Sequence, residues 1–257
     1  MNNTDLKQTL PLISIITVVY NGSAFIEKTI KSILDQTYPN IEYIIIDGAS
    51  TDGTIDIIKK YELKIGRWIS EPDTGLYHAM NKGINLATGE YLWFINAGDQ
   101  LFDQDITSKI FSKEVNKFSD IYYGDTLIID NDGSEIGMRR QPIPEKLTWK
   151  DFKIGMAVSH QSFIPKKTIA NHFNLKYKYS SDIDWIMRCL VRAKSITNTH
   201  LVLSRFLDGG QSKRTILPSL HERFQIMREY FGLVRTLWYH IPIAGRFIFF
   251  LLRNKRF

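Results

Sequence analysis

Two hydrophobic periods alternate along the first hundred residues. Residues 10–20 read Leu-Pro-Leu-Ile-Ser-Ile-Ile-Thr-Val-Val-Tyr, a β-branched apolar run that predicts a buried strand. Asn21-Gly22-Ser23 breaks the run. Ile26, Ile30, Ile33 and Leu34 then recur at helical spacing and predict an amphipathic helix. Pro39-Asn40 ends that unit, and residues 41–47, Ile-Glu-Tyr-Ile-Ile-Ile-Asp, read as a second buried strand. Strand, helix and strand in this span form a βαβ unit, hence a parallel sheet with a right-handed crossover. Residues 48–54 are small, polar and glycine-bearing, and they open a helix carrying Ile55, Ile57, Ile58 and Tyr61. Such a loop can offer backbone N–H groups to an anion, although it matches neither the P-loop nor the dinucleotide fingerprint. Residues 68–70 close a short third strand. A turn at 71–75 leads into a helix with Leu76, Met80 and Ile84 on one face, stopped by Gly89. Residues 91–95, Tyr-Leu-Trp-Phe-Ile, form a fourth buried strand.

The pattern then changes. Residues 121–124, 126–129 and 133–139 predict short strands, the last two joined by the hairpin signal Asn131-Asp132-Gly133. Ile183, Ile186, Met187, Leu190 and Val191 make a helical stripe within 177–192, with Ser180-Ser181 as its expected caps. Residues 196–206 predict a strand, and 209–213 a basic loop. From 217 onward the chain predicts two helices split near Pro242. No internal repeat or low-complexity segment interrupts this order.

Composition narrows the partners. The 257 residues are 44% hydrophobic and 23% charged, an ordinary globular balance that fits one large α/β domain or one domain plus an appendage. The net charge of +6 favours an anionic partner. It is concentrated in one place: residues 221–257 hold seven Arg or Lys against two Glu, a net +5. Within that tail, Phe247–Leu252 is bounded by Arg246, Arg253, Lys255 and Arg256. An apolar aromatic block flanked by cations suits a helix lying in a membrane interface, or a terminal helix docked on the domain. The single cysteine, Cys189, forbids an internal disulfide, fits a reducing cytoplasm and sits among Met187, Leu190 and Val191 as a buried inert thiol. The polar first ten residues predict no secretory leader, and no run of about 18 apolar residues predicts a transmembrane helix.

Candidate chemistry centres on the turn after the fourth strand, Asn96-Ala97-Gly98-Asp99. In open α/β sheets, ligands sit outside the carboxyl ends of strands. Asp99 there either holds a hard divalent cation, which could hold a diphosphate in turn, or only caps the next turn. Asp182, at a helix start, is either a base or an N-terminal helix acid. His160 is a hydrogen-bonding or packing residue, or part of an acceptor or phosphate region together with Gln161. Arg139, Arg140, Lys213 and Arg214 could steady a diphosphate or simply be solvated. No His/Cys set has zinc spacing and no Gly-x-Ser-x-Gly elbow is present.

Several blocks in a fixed order resemble the family 2 glycosyltransferases: residues 13–22, Asp47-Gly-Ala-Ser-Thr-Asp-Gly-Thr54, Ser70-Glu-Pro-Asp-Thr-Gly-Leu-Tyr77, Ala79-Met-Asn-Lys-Gly83 and Ala87-Thr-Gly89. Tyr123-Gly124-Asp125, Ser159-His160-Gln161, Ser180-Ser181-Asp182 and Gly209-Gly210-Gln211-Ser212 resemble the branch that makes colanic acid, other exopolysaccharides and O-antigen. The likeness runs over about 10–215.

It implies a GT-A fold, α/β with a mostly parallel central sheet and flanking helices, over residues 1–215. Residues 10–100 would form the nucleotide-sugar half and 101–215 the acceptor half, with 216–257 a helical tail at the membrane surface. The implied donor is a nucleotide-diphosphate sugar, with Mn²⁺ or Mg²⁺ as divalent cation and inversion at the anomeric carbon. Thr17, Tyr20, Asp47, Asp73, Asn81 and Lys82 fall at donor-binding positions, Asp99 at the metal position, and Asp182, rather than Asp184, at the base. His160, Gln161, Arg139, Arg140 and Lys213 are implied acceptor or phosphate contacts.

Two departures stand out. The family often has two acids where this chain has Asp47-Gly48, and two acids where it has Gly98-Asp99. One carboxylate with phosphate oxygens and water can still hold Mg²⁺. The implied partners are the nucleotide sugar, a polysaccharide or lipid-linked acceptor and an anionic membrane surface, with no nucleic acid, at the inner face of the cell membrane. The competing reading is a catalytically impaired subunit that binds sugar nucleotide or membrane. A sugar nucleotidyltransferase would want a longer, charged glycine-rich loop after the first strand than Asn21-Gly22-Ser23.

Overall fold

The structure is a computed structural model that describes residues 10–111, 118–209 and 216–241. The central strand is β1 (Ile13–Val19), every residue of which is buried. It pairs in parallel with β2 (Ile41–Asp47) on one side and β4 (Tyr91–Phe94) on the other, and β2 pairs with β3 (Arg67–Ser70). The order β3-β2-β1-β4 follows from the connections. Helices α1 (Ile26–Leu34) and α2 (Thr54–Lys60) carry the chain outward to β3, and α3 (Leu76–Leu86) returns it to the other side of β1. The reversal of direction lies between β1 and β4, at their carboxyl ends.

Side chains alternate across this sheet with the two-residue period of a strand. Ile13, Ile15, Tyr43, Ile45, Tyr91 and Trp93 face one way, into a core shared with Ile26, Ile30 and Ile33 of α1. Ile16, Val18, Ile44, Ile46, Leu92 and Phe94 face the other way, against Met80 and Ile84 of α3. That second core continues into α5 (Ser181–Arg192), where Trp185 stacks on Phe173 with ring centroids 4.7 Å apart. Helix α3 lies close on the sheet because residue 83 is glycine. A Cβ there would run into Cγ2 of Ile16.

The second sheet is mixed, in the order β5-β9-β6-β7. β5 (Gln100–Leu101) follows directly on the turn after β4 and pairs with β9 (Ile196–Leu207). Between them in the chain, α4 (Ile106–Ile110) leads to β6 (Ile121–Ile129), which runs parallel to β9. β6 forms the expected hairpin with β7 (Glu135–Met138), Leu127 opposite Met138. β8 (Phe163–Pro165) pairs with β6, and an isolated bridge from Lys166 to Tyr91 ties it to β4. The stretch before β8 is thereby set against the end of the central sheet.

Several expectations need correction. The two short strands at 121–124 and 126–129 are one strand, with its register shifted around Asp125. Ser180 does not cap α5 with its side chain. Its hydroxyl pairs instead with Ser219 of α6 (Ile216–Phe231), 2.9 Å away. The helical tail breaks at Gly232, in the left-handed region at φ 78°, and resumes over 233–241. Residues from Pro242 onward lie outside the described residues. The tail also begins as part of the body, because Ile226 and Met227 are buried and Trp149 packs on Tyr230 and Phe231.

Gly83→Ala should destabilise the protein by about 1–3 kcal/mol through overpacking against Ile16. Urea unfolding would register this as a lower midpoint at unchanged slope.

Candidate active site

Three loops meet at the carboxyl ends of β1, β2 and β4. The loops after β1 and β2 are locked together. Asn21 N–H donates to Ser50 Oγ, Thr51 N–H to Asn21 Oδ1, and Gly22 N–H to Thr54 Oγ1, all at 2.8–2.9 Å. Asn21 and Ala49 are both held at positive φ, 48° and 62°, a local cost borne where the loops turn. Tyr20 stands at the end of β1 with 70% of its surface exposed. Its ring lies against Gly48, where a Cβ would come within 3.3 Å of it. Asp47 is fully buried, and its Oδ2 accepts from Ser50 N–H at 2.9 Å and Ser70 Oγ at 2.6 Å. Its Oδ1 is buried without a hydrogen-bond partner among the described residues.

Asp73 and Lys82 bracket the loop before α3. The Lys82 ammonium reaches Asp73 at 2.8 Å, Glu71 at 2.7 Å and the carbonyl of Pro72 at 3.1 Å. Asp73 also meets His78 Nδ1 at 2.9 Å, and its Oδ2 is buried without a partner among the described residues.

The turn after β4 is fixed from behind by α1. Thr29 Oγ1 donates to the Asp99 carbonyl at 2.7 Å and accepts from Gly98 N–H at 3.0 Å. Gly98 sits at φ 102°, a conformation glycine adopts without a Cβ penalty. Asp99 is 4% exposed. Its carboxylate accepts from Gln161 Nε2 at 2.8 Å and from Leu207 N–H at 3.0 Å. Burial pushes the carboxyl up to about 6, against the opposing pull of those two hydrogen bonds and of nearby His160.

Asp182 enters from the first turn of α5. Its Oδ1 accepts from Tyr77 O–H and from Ile183 N–H, each at 3.0 Å, and its Oδ2 lies 3.3 Å from His160 Nδ1. A carboxylate only accepts, so the His160 proton is assigned to Nδ1. His160 Nε2 then receives the Asn96 amide at 3.2 Å. Burial acts to raise the Asp182 carboxyl, but His160, Arg223 and Tyr77 outweigh it and hold the group below its usual range. Asp184 faces elsewhere and is bound by Arg188 at 2.8 Å and Tyr230 at 3.3 Å. Asp184 thus stands outside the His160 contact that Asp182 makes.

The dipeptide His160-Gln161 thus touches both carboxylates, Asp182 through His160 and Asp99 through Gln161. It lies in a one-turn 3₁₀ helix (His160–Ser162). Trp93 Nε1 donates to the Gln161 carbonyl at 2.8 Å, while Ser162 Oγ meets Thr126 and Ser204 at 2.8 Å each.

Three sequence-derived assignments change. Thr17 is fully buried, donating to the Ile95 carbonyl at 2.7 Å and receiving the Tyr43 hydroxyl at 3.1 Å. Both contacts are internal to the central sheet. Asn81 has its amide occupied in both directions by the backbone of Phe173, at 3.0 and 2.7 Å. Arg139 turns its guanidinium inward to the carbonyls of Ala157, at 3.1 Å, and Met156. Arg140 remains exposed, and Lys213 and Arg214 lie outside the described residues. Tyr77, Asn96 and Thr29 belong to the site without having been singled out. Tyr77 sits inside a recognised block, whereas Thr29 looked like any helix residue. Cys189 is buried, and burial pushes its thiol up to about 12.

As to a metal, the described residues contain no cluster of three or more His, Cys, Asp or Glu arranged to hold one. Asp99 offers a carboxylate just past the end of β4, as Asp47 does at the end of β2. It is buried, raised in pKa and without a direct cation, and it keeps a free lone pair on each oxygen. That fits a cation whose remaining ligands come from phosphate and water.

The chain is similar to known proteins in sequence and in fold. The family model "Glycosyl transferase family 2" matches residues 14–173. A PGL/p-HBAD biosynthesis glycosyltransferase of Mycobacterium bovis (strain BCG / Pasteur 1173P2) is 28% identical over 219 residues, covering 80% of this chain and 81% of that protein. Among solved structures, S. aureus TarS 1-349 in complex with UDP-GlcNAc superposes with TM-score 0.68 at 19% identity. The match covers 84% of this chain and 64% of that one, so the chain spans just under two thirds of the TarS fragment. The mannosyltransferase PcManGT from Pyrobaculum calidifontis, in complex with GDP-Man and Mn2+, superposes with TM-score 0.61 at 15% identity, covering 96% of this chain and 77% of that one. At these identities the likeness to the solved structures is one of fold, the GT-A arrangement.

The raised pKa of Asp99 carries a sign that can be tested. Between the ordinary value of 3.8 and about 6, the folded protein holds a proton that the unfolded chain has lost. Stability from this group is therefore full below that window and declines as pH rises through it. Asp99→Asn should remove the decline and stabilise the metal-free protein at pH 8 by roughly 1–3 kcal/mol. Thermal unfolding of both proteins at pH 5 and pH 8 checks this, and equal pH slopes would refute it.

Proposed function

Since the chain belongs to glycosyl transferase family 2, we propose that it transfers one sugar, with inversion, from a nucleotide-diphosphate sugar to a hydroxyl of a growing surface polysaccharide or lipid-linked oligosaccharide. The observation that carries this reading is the pair of carboxylates, Asp99 at a strand end and Asp182 at a helix start, joined through His160-Gln161.

The donor half supplies the binding groups. The exposed ring of Tyr20 gives the base a stacking surface, and the buried Oδ1 of Asp47 lacks a donor that a nucleoside N–H or O–H can supply. Lys82 keeps Asp73 and the Pro72 loop in place for the sugar nucleotide. Asp99 would hold Mn²⁺ or Mg²⁺, which supplies charge neutralisation for the departing diphosphate when bound. With a single buried carboxylate, that site favours a cation arriving together with the diphosphate.

In the transfer, Asp182 accepts the proton of the acceptor hydroxyl as its oxygen forms a bond to the anomeric carbon. The bond from that carbon to the diphosphate oxygen breaks, and the electron pair leaves with the nucleoside diphosphate. Asp182 is held below the usual carboxylate range and is a weak base. Proton transfer is therefore late, after the sugar–phosphate bond has lengthened. His160 keeps one oxygen of Asp182 oriented, and Tyr77 the other.

Membrane attachment forms part of the same reading. Among the described residues no helix is long and apolar enough to cross a membrane. The helical stretch 233–241 nonetheless exposes Leu233, Val234, Leu237, Trp238 and Ile241 along one side, with Val234 81% and Trp238 72% exposed. This stripe leads into the basic, aromatic segment after Pro242, and together they suit the interface of an anionic bilayer at the inner face of the cell membrane.

The deciding experiment is a donor-hydrolysis screen over UDP-, GDP- and dTDP-sugars with Mn²⁺. Wild type should hydrolyse at least one donor, and Asp182→Asn should lower kcat for it about 10²–10⁴-fold while leaving donor affinity unchanged. Normal turnover by Asp182→Asn would remove it as the base, and a wild type inert to every donor would favour the impaired-subunit reading. For the tail, Val234→Asp/Trp238→Asp should reduce co-sedimentation with phosphatidylglycerol vesicles, and an unchanged bound fraction would sink the anchor.

A further inference from the structure

The turn that delivers Asp182 is held by the C-terminal helix. Glu222 of α6 places its carboxylate against three consecutive backbone N–H groups ahead of α5: Oε1 accepts from Lys178 at 2.8 Å, and Oε2 accepts from Tyr179 at 2.8 Å and Ser180 at 2.9 Å. Ser219, one turn earlier on α6, receives the Ser180 hydroxyl at its carbonyl, 3.2 Å away. Two more links lie further along the same helix, Lys176 to Glu229 at 2.6 Å and Tyr230 to Asp184 at 3.3 Å. No protein side chain within the 177–181 segment supplies these donors with a partner, and N–H groups at a helix entry need one. A carboxylate there also complements the positive end of the helix. The next residue, Arg223, is partly buried, and its Nε is buried without a hydrogen-bond partner among the described residues. Its charge favours the ionised form of Asp182.

We propose that Glu222 belongs to the catalytic apparatus as a positioning residue that fixes the Lys178–Ser180 turn and so the reach of Asp182. This rests on Asp182 being the base. It places the chemistry under the control of a helix outside the region matched by the family model, which ends at residue 173. The same helix leads, past the break at Gly232, to the exposed apolar stripe over 233–241.

The full chain is the material for the test. Glu222→Gln keeps the volume and one good acceptor but loses the charge and the second acceptor. It should lower kcat for donor hydrolysis about 10- to 100-fold, as a small misplacement of a reacting group does. Donor KM should stay within about twofold, because ground-state binding is untouched. Hydrogen–deuterium exchange of the 174–183 segment should accelerate. Glu222→Asp, which retains the charge at a shorter reach, should recover part of the lost kcat.

A role confined to packing α6 would lower the unfolding temperature and leave kcat per folded enzyme unchanged. That result, or wild-type kcat in Glu222→Gln, overturns the proposal. Because Asp182→Asn is measured beside it, failure of the base reading (Asp182→Asn fully active) is distinguishable from failure of this one (Asp182→Asn impaired, Glu222→Gln normal).

Discussion

The His160-Gln161 dipeptide is the constraint on which the site depends. Its two side chains reach carboxylates that come from opposite ends of the fold, Asp99 from the central sheet and Asp182 from α5. Neither would be held in place by its own local structure. Asp99 follows a glycine in the left-handed region, and Asp182 sits in the first turn of a helix with no side-chain N-cap. The dipeptide can act as a bracket because its own backbone is fixed. Trp93 in the buried strand β4 donates to the Gln161 carbonyl, and the Ser162 hydroxyl is tied to Thr126 on β6 and Ser204 on β9. Both sheets thus converge on three consecutive residues.

The electrostatics follow from that placement. Asp99 and Asp182 are both shielded from water, yet burial raises one and fails to raise the other. The difference is in the donors. Asp99 receives an amide and one backbone N–H, both neutral dipoles, and remains a poorly compensated carboxylate. Asp182 receives a tyrosine hydroxyl and an imidazole and has Arg223 in range. A low-dielectric pocket penalises an uncompensated charge and rewards a compensated one. One acid is thereby left poorly compensated, and the other stays ionised.

Much of the nucleotide half was legible in the sequence because its signals are local. An unbroken β-branched run such as Ile13–Val19 has one good solution, a strand buried on both faces, and the α1 stripe has one too. The turn carrying Asp99 was legible for the same reason, since a strand end in a parallel sheet is a binding edge. The failures were long-range. Thr17 and Asn81 look like ligand contacts in the linear motif, but their partners, Tyr43 and Phe173, lie 26 and 92 residues away. Arg139 reads as a free cation until the fold brings the carbonyls of Met156 and Ala157 to it. Glu222 belongs to a basic tail by composition, and only the packing of α6 shows it facing the turn before Asp182. Charge counts along a chain carry no information about which acid meets which amide.

The two missing acids read differently once their surroundings are in view. At position 98 the backbone sits at φ 102°, and a Cβ would come within 2.7 Å of Leu207 Cδ2. The same Leu207 gives its backbone N–H to Asp99. The end of β9 therefore packs into the space a side chain at 98 would need, and in doing so supplies a hydrogen bond to the remaining acid. At position 48 the side chain is likewise absent where the Tyr20 ring closes in. Decay of a site would leave voids or orphaned partners around the lost residues. Here each vacated position is filled by a neighbour, and the filling improves the contact around a group that remains: the Asp99 carboxylate in one case, the exposed Tyr20 platform in the other. That pattern is the one expected of positions repacked around the groups that remain, not of positions left empty.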